Sequence, residues 1–365
     1  METHQIGANR APRPELKALT GLRGVAASTV AVAHVQQLLL WQCAAVDLFF
    51  CLSGFTLSYV YGGRHFQFSS YVAARIARVY PLYFLTLFIA GAVYILPLVI
   101  NPETYPAKRA ASDFLMQLLM LNCWPILGSG VHWNTPAWSI SVEWFCYVLL
   151  FPLLLVLKAP RLASVRLLGL VVLSAASYYL FVTFYDERLT NPELYIAKNA
   201  WSYWVNLLRG VFGFVAGWVT FASFEKQDGL CAFCIRFSTT IWLSFIAILV
   251  LQYVGIVSSQ ALVFLFPFVV LAATDANSTS SRLLGSRLLH FLGVISYSIY
   301  MTHMIVFAAF IAVSGTTPQT WTISIHAALI VATFVVSVCS YFAIEVPARN
   351  AIRGLLGIRP APIAP

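Results

Sequence analysis

Charge is scarce in this chain. Of 365 residues only 22 are Lys or Arg and 13 are Asp or Glu, 10% in all, whereas an ordinary soluble domain carries about 25%. A water-soluble globule is excluded. Organised cysteine is also lacking: the seven Cys show no framework, and the CxxC of Cys231 and Cys234 has no second Cys or His pair nearby to complete a zinc site. The expectation is that no metal is bound. No repeat of fixed period is visible, and the only low-complexity tract is the Pro-rich tail IRPAPIAP. A cleavable signal is missing as well, because the first apolar run follows a polar, Pro-containing segment, is too long for a signal core and precedes no small-residue cleavage site. The reading is a single membrane domain over residues 1–365 that keeps its N-terminus and has no appended soluble domain.

What is abundant is apolar surface. The chain is 60% hydrophobic, with 27 Phe, 17 Tyr and 10 Trp, and its mean hydropathy is +0.81. That is the composition of a polytopic protein surrounded by lipid. Apolar runs predict an all-α membrane protein of about ten transmembrane helices, near 18–40, 44–61, 80–100, 139–157, 166–184, 202–223, 239–256, 258–274, 291–313 and 322–344. The segment 113–127, DFLMQLLMLNCWPIL, is short, carries Gln117 and Asn122 and ends near Pro125; charge parity decides against counting it. With ten spans and a cytosolic N-terminus, seventeen of the 22 Lys and Arg lie toward the cytosol, as the positive-inside rule requires. An eleventh span would leave ten inside and twelve outside. Both termini are therefore expected in the cytosol, in the plasma (inner) membrane. The net charge of +9 is explained by topology and calls for no nucleic-acid partner.

Against this background the few buried polar residues stand out. Arg23 and His34 are eleven residues apart in the first span, so they return to within about 20° of one another on the helix and differ by about 16 Å in depth. An intramembrane charge costs at least ~2.5 to 3.5 kcal/mol and normally faces a protein interior or a wet cavity. Snorkelling of Arg23 and a simple helix contact by His34 are the plainer alternatives, but two such groups on one face, with Gly21 and Gly24 permitting close helix approach, favour function. Arg75 and Arg78, three apart before the third span at Tyr80 and Pro81, present two guanidiniums on one face, which suits phosphate. Topology-setting charge or lipid headgroup contact would use the same residues.

A third group lies in VHWNTPAWSISVEW, residues 131–144, on the expected outer side. His132, Asn134, Ser139, Ser141 and Glu143 sit beside Trp133, Trp138 and Trp144, either as an aromatic interface belt or as a carbohydrate surface, and Glu143 needs a partner so far inside a span. Finally, Asp47 could orient His34 through a carboxylate–imidazole hydrogen bond or cap a helix. His303 lies inside the ninth span, and Glu345 has Arg349 four residues on.

Arg23 with His34, then VDLFFCLSGF, RIARVYPLYF, PAWSISVEWFCYVLLFP, SYSIYMTH and IEVPAR follow in order from residue 15 to 350. This ordered set resembles the membrane-bound acyltransferase-3 family. The resemblance implies an enzyme of about ten helices that moves an acyl group, usually acetyl, from a cytosolic acyl-CoA to a hydroxyl, most often on a surface or exported carbohydrate. It implies that His34 and Arg23 match the family's essential pair and that Arg75 and Arg78 match its basic turn. Some relatives carry an extracytoplasmic hydrolase-like domain after the last helix, and here only about 20 residues follow Ile344. The membrane domain would then complete transfer alone or hand the acyl group to a separate protein.

The residues suit this chemistry. Attack by a sugar hydroxyl on a thioester needs a base, commonly His. His34 is the expected general base, or a transient acyl carrier, and Arg23 would stabilise the developing oxyanion or position the donor's arm, the depth difference favouring positioning. Arg75 and Arg78 would hold CoA phosphates, and the acceptor would enter past Asn134, Trp138, Ser139 and Glu143, with Asp47 and His303 in support. Acyl-CoA is the expected donor substrate and no bound cofactor is expected. Acceptors as different as O-antigen, exopolysaccharide, glycolipid or an exported small molecule fit equally, and oligomeric state is not encoded in any pattern here. The rival reading is a transporter or flippase using Arg23 and His34 as a substrate or proton site, although no inverted repeat or paired broken helices support it.

Overall fold

The computed structural model describes residues 13–36, 42–62, 66–95, 107–128, 133–184 and 200–357. Every regular element among them is helical, as backbone groups in hydrocarbon must be satisfied within their own segment. The helices are α1 (Lys17–Gln36), α2 (Gln42–Tyr61), α3 (Phe68–Ala90), α4 (Ala107–Leu118), α5 (Ala137–Phe145), α6 (Phe151–Val156), α7 (Ala163–Phe184) and α8 (Ala200–Lys226). They continue as α9 (Gly229–Arg236), α10 (Ser238–Tyr253), α11 (Phe266–Ala272), α12 (Thr279–Leu284), α13 (Arg287–Val294), α14 (Ser296–Ser314), α15 (Ile323–Ser340) and α16 (Val346–Leu355). Eight stretches of the described residues are long and apolar enough to cross a bilayer, and α9 with α10, bent by 72°, would make a ninth.

Three boundaries differ from the hydropathy reading. The third long helix begins at Phe68 rather than near 80, so Arg75 and Arg78 sit within its body and Pro81 lies inside it. The stretch 258–274 is divided into a 3-10 turn, Ser259–Phe264, and the short α11. Residues 113–127 form the end of the twelve-residue α4 followed by turns; at about 1.5 Å per residue α4 is well short of the ~30 Å hydrocarbon core.

α1 is the hub, touching α2, α12, α13, α14 and α15, while α2 lies along α8 and α3 lies against α14 and α16. Gly24 explains how α1 comes so close to α13: a Cβ there would stand 2.4 Å from the Gly293 backbone nitrogen. Gly54 and Gly217 do the same between α2 and α8, where a Cβ would meet the Phe214 and Cys51 carbonyl oxygens at 2.0 Å. Small residues at such crossings let backbones pack without side chains between them. Three wide π turns, Gly91–Ile95, Cys146–Leu150 and Tyr341–Glu345, interrupt the long helices. Two of them carry residues of the site below, in keeping with the frequent use of π bulges at functional positions.

Candidate active site

His34 occupies the last turn of α1, and its Nδ1–H donates to the Val30 carbonyl at 2.8 Å. A carbonyl can only accept, so in the neutral ring the lone pair is on Nε2. The ring of His303, on α14, lies 5.1 Å away at 48°. His303 Nδ1–H likewise donates to its own helix, to the Tyr300 carbonyl at 2.7 Å, and its buried Nε2 has no hydrogen-bond partner. Both imidazoles are thus held in the same tautomer, side by side. The sequence offered each as a single buried histidine; the pairing across 269 positions has no local signature.

One turn before His303 on α14, Tyr300 stands with its ring 6.0 Å from the imidazole. Its hydroxyl lies 2.7 Å from Ser139 Oγ, whose own proton goes to the Pro136 carbonyl at 3.1 Å, so Tyr300 is the donor in that pair. Asn134 Nδ2 donates to the Met301 carbonyl at 3.0 Å, and its Oδ1 is buried without a partner. The segment from Asn134 to Ser139 is therefore stitched onto α14. Trp138 leans edge-on against Phe50 at 6.4 Å. His132 lies outside the described residues.

An open cleft of about 430 Å³, part of it continuous with the outside, has Arg23, Glu143, Ser139 and Tyr300 in its wall, with Phe49 and Phe50 as apolar lining. His34 is not part of that wall; Tyr300 is, and its ring neighbours His303, which in turn neighbours His34. Glu143 departs from its expected place among outward-facing acceptor residues. Its Oε1 accepts from Ser53 and Tyr147, each at 2.5 Å, and the carboxylate shares the cleft with Arg23 and lies within electrostatic reach of Arg75. A carboxylate in apolar surroundings must find donors and cations, and mid-α2 and α3 supply them.

Arg75 rests against the rings of Tyr61, Tyr71 and Tyr147 at 6.0, 6.0 and 5.8 Å, a cation–π setting. Arg78 interacts with Arg23, Arg75 and Glu345. The arginines read separately from the sequence, Arg23 on α1 and the pair on α3, thus form one cluster. Glu345 pairs with Arg349 at 3.8 Å, as its spacing predicts, and also accepts from Ser298 at 2.9 Å.

Asp47 overturns its expectation. It does not orient His34: its Oδ2 accepts from Arg209 Nη2 at 2.9 Å and from Gln260 Nε2. Asp47 and Arg209 are 2% and 1% exposed. α2 turns this residue toward α8 and the 3-10 turn, and a buried carboxylate there is tolerable only with a cation beside it. Arg209 lies well inside α8; an Arg deep in an apolar run was itself the signal for an intramembrane partner. Sequence reasoning also passed over Tyr300 and Tyr147, whose three- and four-residue spacings from His303 and Glu143 were the available hint. Cys231 and Cys234 are buried free thiols, and among the described residues no three His, Cys, Asp or Glu side chains are placed to hold a metal.

The helical bundle sets a cleft walled by Arg23 and Glu143 close to two adjacent imidazoles. The chain belongs to the acyltransferase-3 family, whose acyltransferase domain it matches over residues 16–343. It is similar to acyltransferase MdmB of Streptomyces mycarofaciens, 27% identical over 322 residues that cover 80% of this chain and 79% of that protein. A shorter likeness, 38% over 95 residues, joins 24% of this chain to 50% of protein 2 in the picA locus of Rhizobium radiobacter. No solved structure matches. The protein is a multi-pass membrane acyltransferase.

Proposed function

We propose that the protein moves an acyl group, acetyl by preference, from cytosolic acyl-CoA to a hydroxyl of a surface or exported carbohydrate in the plasma membrane, with His34 as general base. The observation that carries this reading is the His34 Nδ1 hydrogen bond to Val30, which leaves Nε2 able to take a proton. In the reaction the acceptor hydroxyl gives its proton to His34 Nε2 as its oxygen bonds to the thioester carbonyl carbon. The C–S bond then breaks and the departing CoA sulfur takes the proton back. His303, beside His34, offers its free Nε2 as acceptor to a second hydroxyl of the acceptor. Arg75 and Arg78 would hold the donor's phosphates, and Arg23, in the cleft wall, its arm. Asn134 and Ser139 belong to the acceptor side, whereas Glu143 serves the arginine cluster.

The test uses membranes containing the wild type or His34→Ala, supplied with labelled acetyl-CoA, together with mass spectrometry of surface glycans. The variant should insert normally and lose both label transfer and the ester-linked acyl group; wild-type turnover by the variant would discard the base assignment. Rapid quench separates the alternative in which His34 itself carries the acyl group, since only that route yields an acyl-histidine adduct.

A further inference from the structure

α16 lies against α3 and turns two arginines, together with Val346, Ala348 and Ile352, toward the protein. Asn350, Ala351, Gly354 and Leu355 are exposed, while Arg349 and Arg353, four residues apart on one face, are partly buried. A helix resting at a membrane surface would ordinarily turn its arginines outward to water and headgroups and bury its leucine. Here the charges point at the protein. Arg353 lies within electrostatic reach of Arg349, Arg75 and Tyr61, the last residue of α2. The Nε atoms of Arg23, Arg75, Arg349 and Arg353 are all buried with no hydrogen-bond partner.

The charges facing this group do not balance. Arg23 and Arg75 face Glu143, Arg78 and Arg349 face Glu345, and Arg353 faces Arg349 and Arg75; five guanidiniums against two carboxylates leave three positive charges among the described residues. Like charges held together in a poorly solvated place repel, and a fold retains them where a polyanion repays the cost. Ordinary lipid phosphate brings one charge; a nucleotide donor with a pyrophosphate and a terminal phosphomonoester brings roughly four.

We infer that α16 completes the donor site: Arg349 and Arg353 join Arg75 and Arg78 in binding the phosphates of a 3′-phosphorylated nucleoside diphosphate, Arg353 meeting the terminal 3′-phosphate. The order along the site assigns that role. Arg75 is linked to the cleft through Glu143, whereas Arg353 stands a turn beyond Arg349, beside the end of α2, where the last part of an entering donor would rest. The inference rests on the acyl-CoA reading above and extends it to a helix outside the matched residues 16–343.

The experiment measures the affinity of coenzyme A and of 3′-dephospho-coenzyme A for the purified protein in zwitterionic nanodiscs, by calorimetry, for the wild type, Arg353→Gln and Arg353→Lys. The wild type should prefer the phosphorylated ligand by about 10- to 100-fold, the range of a charge-assisted hydrogen-bond pair. Arg353→Gln should bring the ratio close to one by weakening coenzyme A alone, and Arg353→Lys should keep part of the preference. An unchanged ratio in Arg353→Gln overturns the inference while leaving the donor reading intact. Binding of neither ligand by the wild type overturns the donor reading itself. A loss of affinity in Arg353→Gln that appears only when anionic lipid is added assigns the guanidinium to headgroups and equally overturns the inference.

Discussion

Asp47→Asn separates a structural carboxylate from a catalytic one. The substitution preserves shape but takes the negative charge from Arg209, which is 1% exposed. Breaking a buried ion pair from one side costs about 3 to 5 kcal/mol. Helices separated within a bilayer find other partners, which favours the lower end. At roughly 2 °C per kcal/mol for a chain of this size, about 3 kcal/mol lowers the unfolding midpoint by about 6 °C. The double variant Asp47→Leu with Arg209→Met removes both charges together and should be less destabilised than Asp47→Asn. The buried thiols of Cys51, Cys123, Cys146, Cys231 and Cys234 make the measurement direct, since a thiol-reactive dye reports their exposure as the detergent-solubilised protein unfolds. Below the midpoint, acyl transfer by Asp47→Asn should keep the wild-type pH–rate profile, because its carboxylate bonds Arg209 and Gln260 rather than an imidazole. An unmoved midpoint would refute the energetic argument. A displaced acidic limb, where the general base titrates, would return Asp47 to His34.

Other consequences can be checked independently. His303→Phe keeps the apolar bulk beside His34 but removes the free Nε2, and should lower kcat by about 10- to 100-fold with little change in KM for the donor; equal kcat would restrict His303 to packing. Gly24→Val forces a side chain into the Gly293 backbone, which a Cβ would meet at 2.4 Å, whereas a Cβ at Gly229 meets nothing within 4 Å. Size-exclusion profiles should show aggregation for Gly24→Val and a wild-type peak for Gly229→Ala. Asp228 caps α9 by accepting from the Leu230 and Cys231 N–H groups at 2.9 and 3.0 Å. Burial alone would raise its carboxyl, but the Cys231 N–H, the Arg166 guanidinium and the Ser223 hydroxyl outweigh that and hold it below the ordinary carboxylate range. A carboxylate lowered by folding stabilises fully above its unfolded value of about 3.9 and loses that contribution as pH falls through the folded value. Asp228→Ala removes the cap and also the carboxylate beside the buried Arg166 guanidinium, so it should cost about 3 kcal/mol or more at neutral pH, and its gap from the wild type, followed by thermal unfolding, should narrow below about pH 4.

Patterns that live on one helix were readable in the sequence, and pairings between helices were not. The spans follow from runs of apolar residues, and the shared face of Arg75 and Arg78 follows from a spacing of three. The boundary at Phe68 was missed because Arg75 and Arg78 read as flanking charge, although tyrosine rings and Glu143 allow both to sit inside the helix. Glu143 announced its need for a partner, but Ser53, 90 positions away, is one of 28 serines that local sequence treats alike. Asp47 illustrates the limit most plainly. Its neighbour across a short hairpin was the nearest imidazole in sequence, yet Arg209 and Gln260 lie 162 and 213 positions off, and the choice between them was made by the glycine-lined crossing of α2 and α8.

The unsatisfied groups at the two ends of the site differ in kind, and that difference bears on what each end receives. Near the histidines, Asn134 Oδ1 and His303 Nε2 are buried acceptors with no donor, while the Tyr300 proton is committed to Ser139. A ligand repays such atoms by bringing O–H groups, and a sugar or another polyol does so at several positions. Around the arginines the unpaired atoms are donors, the Nε groups of Arg23, Arg75, Arg349 and Arg353, which ask for an acceptor-rich anion. An ester formed between a hydroxyl compound and the acyl group of a phosphate-bearing thioester needs one ligand of each sort. A solute carried through the bundle would instead meet both ends in turn and would need O–H donors for one and an acceptor-rich anionic group for the other. The polarity of the unmet hydrogen bonds thus favours two substrates meeting between α1, α5 and α14 over one substrate passing through.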